Sequence, residues 1–414
     1  MKHKTLYYGG HIITCNLRDE VAEALVIEDE KILYVGSYET ARYLIDADTE
    51  IIHIGGRAII PTFTDSMCGC FAHFPASEAE AKNQIEALWE RAVQSGITCI
   101  CDGGKGGENA ISSYQILLNQ KEGIPLRCLS LISDNPTHEA GTLATCLSAC
   151  GIRTGMGNDS FKIGFVRMPI EVPKDGKYTL NSPFALFLNH LLSRGLSVQF
   201  EPKNKAEAEY ALWCTYCIRE QTSSSPSPRI CLPFAIESSL IDWLKKTGCH
   251  VVMDACALLS YTASFADFSF DKEAEGMPGL PQNLGILAEA DIPFSFANFL
   301  GKNVTCSPME ILAEAVFGDD LFLSLKNDEN LSLQTALRAL TLHGAMGALQ
   351  ADICGSLEWG KSADFLLLSA SPFGKNKREV KAIHPLRVVL RGKTVYDTSP
   401  LLDKTETVYV PTNA

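Results

Sequence analysis

Acidic side chains stand at the ends of several apolar runs, where they could transfer protons or bind a cation. These acids are Asp102, Asp134, Glu201 and Asp254. If the runs are parallel strands, their carboxyl ends form one face, and barrel enzymes place their chemistry on that face. Arg167 ends a further run and could bind a carboxylate or a phosphate there. Acids at strand ends also cap neighbouring helices, so both interpretations stay open for each of them.

Cysteines lie near two of the same run ends. Cys68 and Cys70 follow the first run. Cys99 and Cys101 are two residues apart, so they share one face of a strand. Soft thiolates could bind zinc, copper(I) or iron, or Cys101 could act as a nucleophile while a strand-end carboxylate manages protons. Because the chain has fifteen cysteines and cysteine is among the most buried residue types, we favour simple core packing.

Eight apolar runs alternate with segments of helical periodicity through the middle of the chain. The runs cover residues 58–65, 96–102, 125–134, 160–167, 196–201, 229–234, 249–255 and 292–298. Serine or proline opens helical segments such as 182–195 and glycine closes them, which matches helix-cap preferences. Alternating strands and helices indicate repeated βα units, and eight such units predict a (β/α)₈ TIM barrel.

Both ends of the chain are rich in strand-like segments and differ from the middle. Their β-branched and aromatic residues alternate with Gly, Asn and Asp, as in short strands joined by turns. Chain ends often lie close together in compact proteins. The sequence therefore predicts a small composite β-sandwich domain from residues 1–57 and 355–414, beside a barrel from residues 58–354.

Charge and hydropathy argue against several classes of partner. The formal net charge of −13 disfavours nucleic acid and anionic lipid, because both require a basic patch. No apolar stretch approaches the roughly 18 residues that span a bilayer, and no signal-peptide core opens the sequence. We therefore expect a cytoplasmic protein with free thiols that binds a small molecule, with a homodimer as one possible assembly.

The return from the barrel to the terminal strands carries a distinctive motif. Residues 354–364 read CGSLEWGKSAD, which matches a Gly-Ser-x-x-x-Gly-Lys-x-Ala-Asp pattern at every fixed position. Together with residues 47–66, 96–104, 331–349 and 384–397, this motif is similar to segments of the amidohydrolase superfamily, and of its amidohydrolase-3 branch in particular. The resemblance implies a TIM barrel that carries a small β-sandwich.

The resemblance also implies a metal centre, but the residues after the first barrel strand differ from the ligand motif of the superfamily. Members of the superfamily hold one or two divalent ions at the barrel mouth, with two ligands from a His-x-His motif after strand 1. Asp65 and Ser66 match the residues before this motif, but Met67 and Gly69 stand where the histidines belong. Glycine has no side chain to ligate, and a thioether is a poor ligand for a hard hydrolytic metal.

The remaining ligand positions of the superfamily are altered as well. Members often carry a carboxylated lysine on strand 4, and Lys162 falls near that position. Members also carry histidines on strands 5 and 6 and an aspartate on strand 8. The residues at these three positions are Glu201, Leu232 and Asn298. Two ligands on separate strands will not hold zinc tightly, so we predict that the ordinary metal site is lost and that no cofactor is bound.

Three functions are compatible with these residues. We favour an amidohydrolase-like barrel that binds a small molecule without metal and without catalysis. The alternatives are an enzyme that acts on non-peptide carbon–nitrogen bonds through rebuilt cysteine or carboxylate chemistry, and a metallohydrolase whose ligands lie elsewhere. The candidate catalytic residues are Glu201, Cys101, Asp134 and Asp254. The candidate pocket residues are Met67, Cys68, Cys70, Lys162, Arg167 and Asn298.

Overall fold

Two sheets of eight strands organise the chain. The computed structural model describes residues 3–69, 76–103, 112–114, 116–117, 126–133, 149–220, 226–232, 236–255, 284–297, 299–300, 306–318 and 330–399. The first sheet contains β1 (Lys4–Ile13), β2 (Val21–Glu28), β3 (Lys31–Gly36), β4 (Glu50–His53), β5 (Ala58–Pro61), β14 (Phe365–Leu368), β15 (Pro385–Leu390) and β16 (Lys393–Asp397). The second contains β6 (Phe63–Cys68), β7 (Ile97–Asp102), β8 (Arg127–Ser133), β9 (Phe161–Met168), β10 (Val198–Phe200), β11 (Arg229–Cys231), β12 (His250–Asp254) and β13 (Phe294–Ala297).

Helices follow most of the strands of the second sheet, and two further helices follow β3 and β14 of the first sheet. They are α1 (Tyr38–Ala41), α2 (Glu78–Gln94), α3 (Pro183–Leu192), α4 (Lys205–Arg219), α5 (Ser238–Thr247), α6 (Leu284–Glu289), α7 (Pro308–Phe317), α8 (Leu333–Leu340), α9 (Leu342–Gly347) and α10 (Lys377–Ala382). The predicted caps form: the Ser182 side chain accepts from the Ala185 N–H, and Pro183 occupies the first turn of α3. Among these helices, none combines the length and the apolar character that crossing a bilayer requires.

The second sheet is a parallel barrel whose strands pair in chain order from β6 to β13. It is nearly closed, because side chains and loops bridge its first and last strands. The Ser66 hydroxyl on β6 donates to the Ser295 hydroxyl on β13 at 2.7 Å, and the Leu300 N–H after β13 donates to the Asp65 carboxylate at 3.1 Å. The predicted (β/α)₈ barrel is confirmed, and a separate mixed sheet from both chain ends stands where the small β-sandwich was predicted.

The run predicted as the first barrel strand, residues 58–65, is two strands and the prediction of a single strand was wrong. Ala58–Pro61 pairs with β1 and β14 in the terminal sheet, whereas Phe63–Cys68 pairs with β7 in the barrel. Thr62 lies between the two strands, and its N–H donates to the Asp364 carbonyl at 3.4 Å. An unbroken apolar run therefore crosses from one sheet to the other. The predicted domain boundary after residue 57 stays a prediction.

Side chains of the barrel strands alternate between two clusters. Those that point outward pack with the helices in the main core. Those that point inward form a separate interior cluster, which contains Met67, Cys99, Cys101, Leu129, Phe165, Cys231, Val252, Ala297 and Ala348. The interior of the barrel is thus filled by side chains, with sulfur atoms forming much of its apolar surface.

Asp364, the last residue of the return motif, joins the terminal sheet to the barrel. Its carboxylate accepts from the Arg127 Nε at 2.9 Å, where Arg127 begins β8, and both side chains are 1% exposed. The same carboxylate accepts from the Ser362 hydroxyl at 2.7 Å and the Arg391 N–H at 2.8 Å. These contacts satisfy both buried charges, and they explain why the motif ends in an aspartate.

Replacing Asp364 with alanine should lower the free energy of unfolding by about 3–5 kcal/mol, because Arg127 would keep a buried charge without its partner. Urea unfolding followed by circular dichroism measures the change. The matched control is Lys205→Met, which removes the exposed ion pair between Lys205 and Glu237 and should change stability far less, because water screens an exposed pair. Equal stability of the two variants would show that the buried pair does not hold the sheets together.

A buried histidine belongs to the hydrogen-bonded chain at the closing strands. The Ser295 hydroxyl that accepts from Ser66 lies 2.7 Å from the His250 Nε2 on β12 and is hydrogen-bonded to it. Burial and the nearby Arg229 guanidinium hold the pKa of His250 well below its usual value. Burial, with a contribution from Arg338, lowers the pKa of His343 on α9 to about 4. Both imidazoles are therefore neutral in the folded protein near pH 7.

Acid should destabilise the fold through these histidines before most carboxylates titrate. Their folded pKa values lie below the unfolded value near 6.5, so the unfolded chain binds protons first as pH falls. Stability should decrease from about pH 6.5 downward, and the His343 share should reach up to about 3 kcal/mol near pH 4. Urea midpoints measured between pH 7.5 and pH 4 test this. The slope should flatten in His343→Phe and stay unchanged in the exposed control His3→Gln; equal slopes in all three proteins would contradict the assignment.

Candidate functional site

A buried arginine and a glutamate form the strongest polar contact at the barrel mouth, the face formed by the carboxyl ends of β6–β13. The Arg167 Nε and Nη2 atoms lie 2.6 Å from the two carboxylate oxygens of Glu201. Arg167 is 1% exposed, and the Glu201 side chain is 20% exposed. The third nitrogen, Nη1, donates to the Gly103 carbonyl just after β7. Bidentate, charge-assisted pairing of this kind fixes both groups in orientation as well as in charge.

Strand register brings these two residues together. Arg167 on β9 is the parallel partner of Gln199 on β10, and Glu201 follows Gln199 by two residues. Residues two apart project from the same face of a strand, so Arg167, Gln199 and Glu201 all point into the barrel. The sequence prediction placed Arg167 and Glu201 at the mouth as separate candidates. The structure brings them into direct contact.

Gln199 and Met67 complete the surroundings of Glu201. The Gln199 Nε2 donates to a Glu201 carboxylate oxygen at 3.0 Å and also lies 3.0 Å from the Met67 sulfur. Both Gln199 and Met67 are fully buried. Gln199 was missed by the sequence analysis, although the alternation in LSVQFE places it on the same face as Glu201. Side chains from β6, β9 and β10 therefore converge on one carboxylate.

A second buried arginine lies deeper in the barrel and was also missed. Arg229, the first residue of β11, donates through Nη1 to the Gly347 carbonyl at 3.0 Å and through Nη2 to the Ser66 carbonyl. Its guanidinium carbon lies 5.3 Å from the centre of the Phe165 ring. These contacts tie β11 to β6 and to the end of α9. Arg229 is therefore a structural cation of the barrel floor.

Two of the remaining acids predicted at the mouth lie at the carboxyl ends of described strands and are buried. Asp102 ends β7 and Asp254 ends β12, and both are about 1% exposed. Asp65, which lies two residues before Met67, accepts from the Met67 and Leu300 N–H groups and so orders the backbone around β6. Three other candidates lie outside the described residues. They are Cys70, Asp134 and Asn298.

Two predicted pocket residues do not meet the others at the mouth. Lys162 is the second residue of β9, so it lies near the amino end of the strand that carries Arg167 at its carboxyl end. Its ammonium group donates to the Leu349 carbonyl just after α9. Cys68 packs in the outer core between the barrel and its helices, whereas its neighbour Met67 packs in the interior. Adjacent residues of a strand point to opposite faces, which accounts for the difference.

The interior thiols are poor candidates for a nucleophile. Burial raises the pKa of the Cys101 thiol, and the nearby Arg229 guanidinium only partly opposes this effect. Burial likewise raises the pKa values of Cys99 and Cys231, the other cysteines of the interior cluster. A thiol that stays protonated at neutral pH reacts slowly, because the thiolate is the nucleophile. Packing is the role that their surroundings support.

The donor atoms around Glu201 do not fit a hydrolytic divalent metal. Within the described part of the chain, no group of three His, Cys, Asp or Glu side chains could hold a metal ion. The side chains hydrogen-bonded to Glu201 offer an amide nitrogen and a guanidinium that remains protonated in proteins, and the Met67 thioether lies next to that amide. A hard cation prefers oxygen and imidazole ligands, and a guanidinium would repel it.

Comparisons with solved structures place this fold among metal-dependent hydrolases. The chain is similar to an uncharacterized metal-dependent hydrolase from Pyrococcus horikoshii, with a TM-score of 0.68 and 13% identity over 91% of this chain and 99% of the other. It is also similar to a zinc-bound adenosine deaminase from Xanthomonas campestris, with a TM-score of 0.65 and 12% identity over 95% and 93%. For atrazine chlorohydrolase TrzN from Arthrobacter aurescens in complex with zinc, the TM-score is 0.64 and the identity 13% over 96% of each chain.

The likeness at the level of sequence is much narrower. No protein-family model matches the chain. A stretch of 62 residues is 34% identical to the exoenzymes regulatory protein AepA of Pectobacterium carotovorum subsp. carotovorum, and it covers 15% of this chain and 13% of that protein. The TIM-barrel fold that the resemblance implies is therefore confirmed, on the strand order and on the likeness to these solved structures.

Alkylation of the native protein should distinguish packed thiols from a reactive one. Brief treatment with iodoacetamide should label Cys150, which is exposed, and leave Cys101 unmodified, because the Cys101 thiol is buried and protonated. Peptide mass spectrometry measures both sites, and guanidinium chloride should make Cys101 react. Rapid labelling of Cys101 in the folded protein would instead support a cysteine nucleophile.

Proposed function

We propose that this chain is an amidohydrolase-fold protein that binds a small molecule at the barrel mouth without a metal cofactor. The observation that carries the proposal is the set of contacts around Glu201: Arg167 pairs with both carboxylate oxygens, and Gln199 and Met67 lie beside them. Barrels bind their ligands at this face, and buried charged groups there cost folding free energy. Such a cost favours a role in recognition over a role in stability.

The carboxylates of the mouth support binding of a polar ligand. Asp102, Asp254 and Glu201 lie at or just after strand ends on the face that carries Arg167, above an interior cluster of apolar side chains. Ligand pockets combine apolar walls with a few placed polar groups that set orientation. The floor beneath them is filled by the interior cluster, so a ligand of this site would enter from the mouth.

A hydrolase that acts on non-peptide carbon–nitrogen bonds is the second candidate. It is supported by the solved neighbours, which include an adenosine deaminase and metal-dependent hydrolases, and by the buried acids Asp102 and Asp254 at the mouth. In this alternative one carboxylate would activate water and the other would protonate the leaving nitrogen. Release of ammonia from a panel of amides, amidines and ureas separates this candidate from binding alone.

Metal content and ligand binding can be measured on the same preparation. Protein expressed in zinc-supplemented medium should contain far less than one zinc per chain by plasma mass spectrometry, and EDTA should leave its Tm unchanged. Thermal-shift screening of small polar metabolites with EDTA present should yield ligands that lose their effect in Arg167→Met. The control Lys174→Met, in the exposed loop after β9, should keep them. One or two zinc ions per chain, with a Tm that falls on chelation, would refute the proposal.

A further inference from the structure

We infer that Arg167 occupies the place of a metal ion at the barrel mouth and excludes divalent cations from it. The inference rests on the proposed metal-free function and extends it, because it assigns the exclusion to one residue. Arg167 lies near the carboxyl end of β9, and its guanidinium is held 1% exposed against Glu201. It is thus a permanent positive charge inside the mouth.

Both oxygens of Glu201 are committed to this arginine. Each lies 2.6 Å from a different guanidinium nitrogen, in a two-point contact. A metal ion bound by Glu201 would need at least one of these oxygens and would stand next to the guanidinium charge. Since like charges repel, the guanidinium of Arg167 opposes any metal complex that Glu201 could form.

The surrounding geometry would otherwise suit a three-ligand site. The Gln199 Nε2 lies 3.0 Å from the Met67 sulfur and 3.0 Å from a Glu201 oxygen, so side chains from three backbone positions meet at one point. Imidazoles at positions 67 and 199 would give, with Glu201, two histidines and a carboxylate, a ligand set found in catalytic zinc sites. The positions of the side chains are compatible with a metal, whereas the residue types and Arg167 are not.

The experiment compares two variants that differ only at position 167. The first carries Met67→His and Gln199→His; the second carries the same changes with Arg167→Met. Isothermal titration with zinc chloride, and the visible absorption of added cobalt(II), measure binding without reference to any activity. We expect the variant that lacks Arg167 to bind about one zinc per chain, at least about 100-fold more tightly than the variant that keeps it.

Either of two results would overturn the inference. One is zinc binding of equal affinity in both variants, and the other is no binding by the folded variant that lacks Arg167. Circular dichroism checks folding, and Arg167→Gln in the same background replaces Arg167→Met if the latter does not fold. The zinc content of the wild-type protein tests the proposed function separately, because bound zinc in the wild type would refute that function. The difference in zinc affinity between the two variants tests the role of Arg167.

Discussion

A guanidinium that is almost wholly buried needs hydrogen-bond acceptors in place of water, and this requirement shapes the mouth of the barrel. Arg167 meets it through two contacts of 2.6 Å with Glu201 and a third with the Gly103 carbonyl. Gln199 then donates to the same carboxylate and reaches the Met67 sulfur. Removal of either charged partner would leave the other buried without compensation. The chemistry available at the mouth is therefore set by one ion pair.

The barrel separates this site from the contacts that stabilise the fold. Asp364 and Arg127 join the terminal sheet to the barrel, and Arg229, His250 and Ser295 hold the floor where β13 meets β6. These groups lie at the amino ends of their strands or beyond, away from Arg167 and Glu201. The fold alone therefore does not define the chemistry of the mouth, which depends on the residues placed there.

The sequence was sufficient for the architecture and for part of the site. Apolar runs with caps between them located the barrel strands, and the return motif located Asp364 at the junction of the sheets. The run at residues 58–65 was misjudged because both of its halves are buried, and hydropathy does not show the change of sheet at Thr62. Lys162 was placed by analogy with the ligand of strand 4, whereas strand direction puts it at the amino end of β9.

The missed residues share a physical cause. Gln199 and Arg229 are polar side chains inside a barrel, and only the register between neighbouring strands shows which polar residues face inward together. A prediction that Arg167 pairs with Glu201 would likewise require the register between β9 and β10. Residue spacing along one strand shows which side chains share a face, but it does not show which side chains of the next strand they contact. The sequence could therefore propose the residues of this site but not the contacts between them.

Diffraction at the zinc absorption edge, from crystals soaked in zinc chloride, shows both a bound ion and the side chains of the mouth. It therefore tests whether Arg167 keeps divalent cations away from Glu201. We expect no anomalous peak between Met67, Gln199 and Glu201. We also expect Arg167 to contact both oxygens of Glu201. A zinc peak at that place, with Glu201 turned away from Arg167 and bound to the zinc ion, would contradict the exclusion of metal by Arg167.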